Sequence, residues 1–252
     1  MKLLSKGNTK IEKTNNFEFN PFNKAFRVVS LSMMPDSIIC PYSKIADCYD
    51  DCLKSSGRGR FDNVANARQA KTDYWHRDRK GFLNHLRHEL TNFNKLCERQ
   101  NVQGVVRLNT ISDIQWERFG IPQSFPKLFF YDYTKIPKRV MNDYCLPSNY
   151  KLIYSFSGNK DYFKHYAKVP NNVPLAVVFK GALPNWFNGK EVIDGDKSDL
   201  LNAFSDGKVV GLLAKGKAKN STSPFAIDNT KYAFAIHHTY GDEHKFGLRE
   251  IA

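Results

Sequence analysis

Apolar residues in this chain fall into short unbroken runs rather than alternating with polar ones. FRVVSLSMM (26–34) comes first, then GVVRLNTIS (104–112), KLFFYDYTK (127–135), YKLIYSFSG (150–158) and PLAVVFKG (174–181). The shorter EVIDGD (191–196), KVVGLLAKG (208–216) and AFAIHH (233–238) follow. Runs of this kind predict strands covered on both faces, as in a parallel sheet. Between the first two runs a helical pattern starts near Asn63. There Leu83, Leu86, Leu90, Phe93 and Cys97 step by three and four along one buried face. A short helical candidate lies around Asp113 to Phe119, and helical signals between the later strands are weak or missing. The pattern predicts an α/β fold, a partial or irregular (β/α) barrel of mostly parallel strands. Residues 1–25, rich in Lys, Asn and Thr, read as an N-terminal arm, and 26–252 as a single α/β domain.

Polar residues gather where these strands end, and in parallel α/β folds ligands bind at that edge. Arg107 and Asn109 close the second strand, Ser155 the fourth, and Lys215 lies at the end of KVVGLLAKG; these are candidates for cofactor binding. Ser112 and Asp113 read as a helix cap. Asp132, Tyr133 and Lys135 end the third strand and are candidates for orienting substrate or moving protons, with a strand-end ion pair as the plainer reading. Strand alternation points Tyr131, Tyr133 and Lys135 to one face and Asp132 to the other. Asp194, Asp196 and Asp199 lack the spacing of a calcium loop and read as a turn around Gly195. His237, His238 and His244 belong to a terminal strand and tail. No nucleophile elbow, zinc-protease helix, Walker loop or dinucleotide fingerprint is present.

Charge changes the picture. The 252 residues carry a formal net charge of +13, which favours polyanions and makes a nucleic acid or nucleotide a candidate partner. The densest basic stretch, WHRDRKGFLNHLRHEL (75–90), also suits a solvated helix face. There is no run of eighteen apolar residues to span a membrane and no apolar signal-peptide core near the N-terminus. The expectation is a protein of the cytoplasm.

The cysteines carry the most specific chemistry. Three of five lie within CPYSKIADCYDDC (40–52), spaced C-x7-C-x3-C. In a reducing compartment, thiols this close point to metal binding or redox work rather than to a disulfide framework. Cys40, Cys48 and Cys52 are therefore the candidate metal ligands. Zinc would need a fourth ligand from Cys97, Cys145, His76, His85 or His88. A [4Fe-4S] cluster on three thiolates would leave one iron open to substrate or cofactor. The loop follows the first strand, and in this it resembles the radical S-adenosylmethionine enzymes, whose usual spacing is C-x3-C-x2-C. That resemblance implies S-adenosylmethionine as cofactor and a nucleotide, nucleic acid or other small molecule as substrate. The alternative is a nucleic-acid-binding accessory protein with structural zinc.

A second resemblance covers nearly the whole chain. LSKGNTKIEK, SLSMMPDSIICPYSKIADCYDDCLKSSGRG, NARQAKTDYWHRDRKGFLNHL, VRLNTISDIQWE, FPKLFFYDYTK and EVIDGDKSDLL occur in that order. Together they resemble the phage proteins grouped with the mycobacteriophage gene 88 product. This implies a bacteriophage origin, a bacterial host cytoplasm and a shared cysteine-rich loop. It implies no activity.

Overall fold

The computed structural model describes residues 1–6 and 20–229. Its centre is a ten-stranded sheet. Strand β1 (Leu4–Lys6) runs antiparallel to β2 (Phe26–Leu31). Then β3 (Gln103–Arg107), β4 (Phe129–Thr134), β5 (Tyr150–Ser155) and β6 (Leu175–Lys180) join in chain order, each parallel to the last. Beyond β6 lie β9 (Val209–Leu213), β8 (Lys190–Asp194) and the two-residue β7 (Trp186–Phe187). Strand β10 (Ala226–Asp228) pairs with β6 at Val178–Lys180, just past the stretch Leu175–Ala176 that pairs with β5.

The mostly parallel α/β reading holds. The sheet is open and does not close into a barrel: β1 and β7 stand at its two ends, and no pairing among the described residues joins them. The expected arm differs at its start. Leu3 is fully buried, and the amides of Leu3 and Leu4 donate to the two Glu89 carboxylate oxygens at 2.8 and 2.7 Å. Two leucines beside polar residues were too short a signal to mark this edge strand. AFAIHH and His237, His238 and His244 lie outside the described residues.

Two helices cross from β2 to β3, α1 (Asp62–Arg77) and α2 (Arg79–Arg99). Asp78 separates them and caps α2, its carboxylate accepting from the Gly81 amide at 2.8 Å. The α2 stripe packs on the sheet through Phe82, Leu86, Leu90, Phe93 and Cys97. Gly104 permits the approach, because a Cβ there would meet Leu128, Cys97 and Phe93. Cys97 is thus a core thiol, as its place on the stripe predicts. Short helices α3 (Lys160–Tyr166) and α4 (Asp199–Asn202) complete the cover. DYFKHY hides its helix in aromatic residues: Tyr162 and Tyr166 stack on Tyr154 at 5.9 and 6.5 Å. The opposite face of the sheet packs Phe26, Val105, Phe129, Tyr131 and Ile153 beneath Leu200 and Ala203.

Candidate functional site

The parallel strands β2 to β6 end on the same edge of the sheet, and the thiol loop lies across that edge. The Asp113 amide donates to Ile39 O at 2.8 Å, and Ser157 Oγ to Ala46 O at 2.9 Å. Ser223 Oγ donates to Asp47 O at 2.8 Å, and Asn159 Nδ2 donates to the Asp47 carboxylate at 2.5 Å. The loop is thereby pinned to the ends of β3 and β5 and to the approach to β10. Asp47 turns the chain at φ 49°, a left-handed conformation that Asp tolerates better than most residues.

The three thiols share one low-dielectric neighbourhood. Burial pushes the Cys40 thiol far above its usual range; Asp113, Cys48 and Cys52 push the same way, and Lys135 opposes them. Burial likewise pushes Cys48 up to about 11, with Lys135 pulling it down and Cys52 pushing it up. Cys52 is raised by burial, while Lys54, Arg68 and Lys135 pull it down. The Cys48 thiol donates to Ser43 O at 3.5 Å. Among the described residues no three His, Cys, Asp or Glu side chains converge on a single metal-ion position. The fourth zinc ligands considered from sequence go elsewhere. Cys97 is in the core, Cys145 is exposed, His76 meets Asp36 at 2.7 Å, His85 meets Glu89 at 3.0 Å, and His88 meets Asn92 at 3.0 Å.

Unpartnered polar atoms collect around this loop. Ser43 Oγ, Asp51 Oδ2 and Arg68 Nη1 are buried without a hydrogen-bond partner. Arg107 Nε, Tyr154 Oη and Asn202 Oδ1 are likewise unpartnered away from the loop, and buried atoms of this kind are met by ordered water or by a bound group. Ser43 and Asp51 also line a cleft of about 610 Å³ with Asp47, Tyr49, Thr222 and Ser223.

The candidate catalytic residues part company. Lys135 adjoins the thiols. Because β4 ends at Thr134, its side chain escapes strand alternation and turns towards β5 and α3. Its ammonium donates to Ser155 Oγ at 3.0 Å and to Ser155 O and Phe156 O at 3.3 Å each. Burial pulls this ammonium below its usual range, and Cys48, Cys40 and Asp113 hold it up. Ser155 is therefore placed to orient Lys135. Asp132 lies deeper, accepting from the Asn109 amide at 2.6 Å and the Tyr150 hydroxyl at 2.8 Å. Tyr133 points to the opposite face, where its hydroxyl accepts from Asn202 Nδ2 at 2.9 Å.

The candidate cofactor residues are also divided. Arg107 lies on the face of Tyr133, with its guanidinium paired to Asp199 and 4.7 Å from the Tyr133 ring centroid. Asn109 is a structural hub: its Oδ1 accepts from Ser112 Oγ, the Ile114 amide and Trp116 Nε1, each at 3.0 Å. Lys215 is exposed and meets Asp196 at 2.7 Å. Asp113 is no helix cap. Its carboxylate accepts from the Lys135 amide at 2.7 Å and from Arg139 Nη1 at 2.9 Å. Arg139, which the sequence reading passed over, is fully buried between Asp113 and Glu117. It follows Lys138 in the turn Pro137–Val140, and nothing local marks it as the buried one of the two. Asp194, Asp196 and Asp199 take separate partners: the Asp196 amide, Lys215 and Arg107.

Fold and site together define an α/β protein with an open, mostly parallel sheet and a thiol-bearing loop over its C-terminal edge. No described helix is long and apolar enough to cross a membrane. The chain belongs to the Gene product 88 family, a family of phage gene products, whose model matches residues 2–229. No curated protein and no solved structure matches it significantly.

Proposed function

We propose that Cys40, Cys48 and Cys52 hold a [4Fe-4S] cluster and that the protein is a radical S-adenosylmethionine-like enzyme. The observation that carries this reading is the enclosure of three mutually interacting thiols beside Lys135, at the edge where parallel α/β proteins bind ligands. A single zinc ion requires thiolates that meet at one tetrahedral point. In a cubic cluster each thiolate binds its own iron, so the three need only face a common space. Three thiols from one loop would leave one iron of such a cluster open, whereas zinc would need a fourth ligand, and Cys97, Cys145, His76, His85 and His88 are all engaged or placed elsewhere. The unpartnered Ser43, Asp51 and Arg68 atoms beside the thiols are open to water or to a bound group.

Within this reading the chain's residues have distinct tasks. The Lys135 ammonium compensates thiolate charge, and Ser155 and the strand-end carbonyls fix it in place. Asp113 holds the Lys135 backbone and is itself held by Arg139. Bound there, the cluster would supply the electron for reductive cleavage of S-adenosylmethionine.

Anaerobic reconstitution followed by iron, sulfide and absorption measurements tests the proposal. About four irons and four sulfides per chain are expected. Cys40→Ser, Cys48→Ser and Cys52→Ser should each lose them, while Cys97→Ser and Cys145→Ser keep them. A colourless protein with one zinc per chain would overturn the reading.

A further inference from the structure

Beside the thiol loop, two basic segments far apart in sequence come together. The turn Leu53–Ser55 packs against the turn Gly216–Lys219, and a Cβ on Gly216 would lie 3.2 Å from Ser56. Lys54 lies on the first turn, and its ammonium sits 3.5 Å from the Tyr49 ring centroid. Lys217 and Lys219 stand exposed on the second, next to Lys215. Arg60 is exposed just before α1. Arg68, one turn and a half into that helix, lays Nη1 over the bare face of Gly59, where it finds no hydrogen-bond partner. Lys215 is paired with Asp196.

The backbone is bare where the cations cluster. Gly57 is the open point: nothing would lie within 4 Å of a Cβ there, whereas Gly216 packs against Ser56, and both adopt positive φ values, 55° and 58°, which a side chain would strain. A chain can therefore approach closely between the lysines. The cations occupy two turns and a helix rather than meeting at one point. A lone phosphate would want convergence; a repeating polyanion is matched by cations spread along a rim.

We propose that this rim docks the phosphodiester backbone of a nucleic acid, beside the thiol loop. The docking is independent of the metal; only the further step, that the docked strand is the enzyme's substrate, rests on the reading above. Net charge alone leaves the location open. The fold supplies it by joining 53–68 to 215–219.

The test is fluorescence anisotropy with labelled single-stranded DNA, duplex DNA and RNA oligonucleotides, using the full-length metal-free protein across a salt series. Binding to at least one should weaken linearly in a plot of log K against log salt. The double variant Lys217→Ala/Lys219→Ala should lower that slope by about 2, roughly one per lost phosphate contact. Lys95→Ala/Arg99→Ala, exposed near the end of α2 at the opposite edge of the sheet, should leave it unchanged. Circular dichroism confirms that both variants fold, and iron content after reconstitution should be wild-type in both. The proposal is overturned by absent binding, by an equal slope change in the two variants, or by equally tight binding of polyglutamate. Normal iron with no nucleic-acid binding would sink the rim alone; the reverse would sink the cluster alone.

Discussion

Arg139 grips Glu117 in a two-point ion pair sealed from solvent, with Nε–Oε1 and Nη2–Oε2 both at 2.8 Å. The same guanidinium reaches Asp113 at 2.9 Å and the Tyr150 hydroxyl at 3.0 Å. It thus ties the turns after β3 and β4 to β5. A buried charge pair adds little over an apolar replacement, but stranding one partner costs about 3–5 kcal/mol. Arg139→Ala strands two carboxylates and should destabilise by at least that much in urea unfolding. A loss below about 1 kcal/mol would mean that the network is not sealed.

Asp132 should make stability depend on pH. Burial raises its carboxyl to about 7, although the Asn109 amide, the Tyr150 hydroxyl, Arg107 and Arg139 all pull it down. The folded-state value lies above the unfolded one, near 3.9. The folded protein therefore holds the proton more tightly. This contribution is complete below about pH 4 and is lost as pH rises to about 7, by roughly 4 kcal/mol in all. Asp132→Asn removes the titration. Urea midpoints measured at about pH 5 and pH 8 should fall more in the wild type than in the variant; parallel falls would refute the assignment.

Much of this architecture was legible because burial writes itself into apolar runs. FFYDYT is a strand covered on both faces, and the Leu86–Leu90–Phe93–Cys97 stripe is a helix on a sheet. What escaped was decided by tertiary contact. The LSK edge strand has three residues and draws its order from pairing with β2 and from Glu89, 85 residues away from Leu4. The candidate site was legible in part. The thiol loop's place followed from its position after the first parallel strand. Strand alternation separated Tyr133 from Asp132, but it put Lys135 with Tyr133, because the strand ends at Thr134 and Lys135 turns to the other face to meet Ser155 and Tyr162. Arg139 was unreadable because nothing local distinguishes a sealed guanidinium from a solvated one.

The thiols should differ sharply in reactivity while metal is absent. Cys145 is exposed, whereas Cys40, Cys48 and Cys52 are raised by burial, Cys48 to about 11. The thiolate is the nucleophile. Brief iodoacetamide treatment of native metal-free protein near pH 8, read by peptide mass spectrometry, should modify Cys145 well before the loop. Rapid labelling of Cys48 would show that the loop is open.

Lys135 provides the last and most direct probe of the site. Its ammonium is enclosed by Ser155, Phe156 O, the Phe225 ring at 4.7 Å and the Tyr162 ring at 5.4 Å. It lowers the pKa of all three loop thiols, so it stabilises whatever negative charge they acquire. Lys135→Met keeps most of the length and apolar contact while removing the charge and the donors. Ser155 Oγ and two carbonyls then lose a partner, a cost of about 1–3 kcal/mol. A purely structural lysine would show that loss alone. A charge-compensating one adds a second effect: metal-free thiolate absorbance should appear at higher pH than in the wild type, and iron should dissociate faster from reconstituted protein. Lys135→Arg, still cationic, should recover the thiolate midpoint even if its larger head weakens folding. A thiolate midpoint identical in wild type and Lys135→Met would confine Lys135 to packing and remove it from the site.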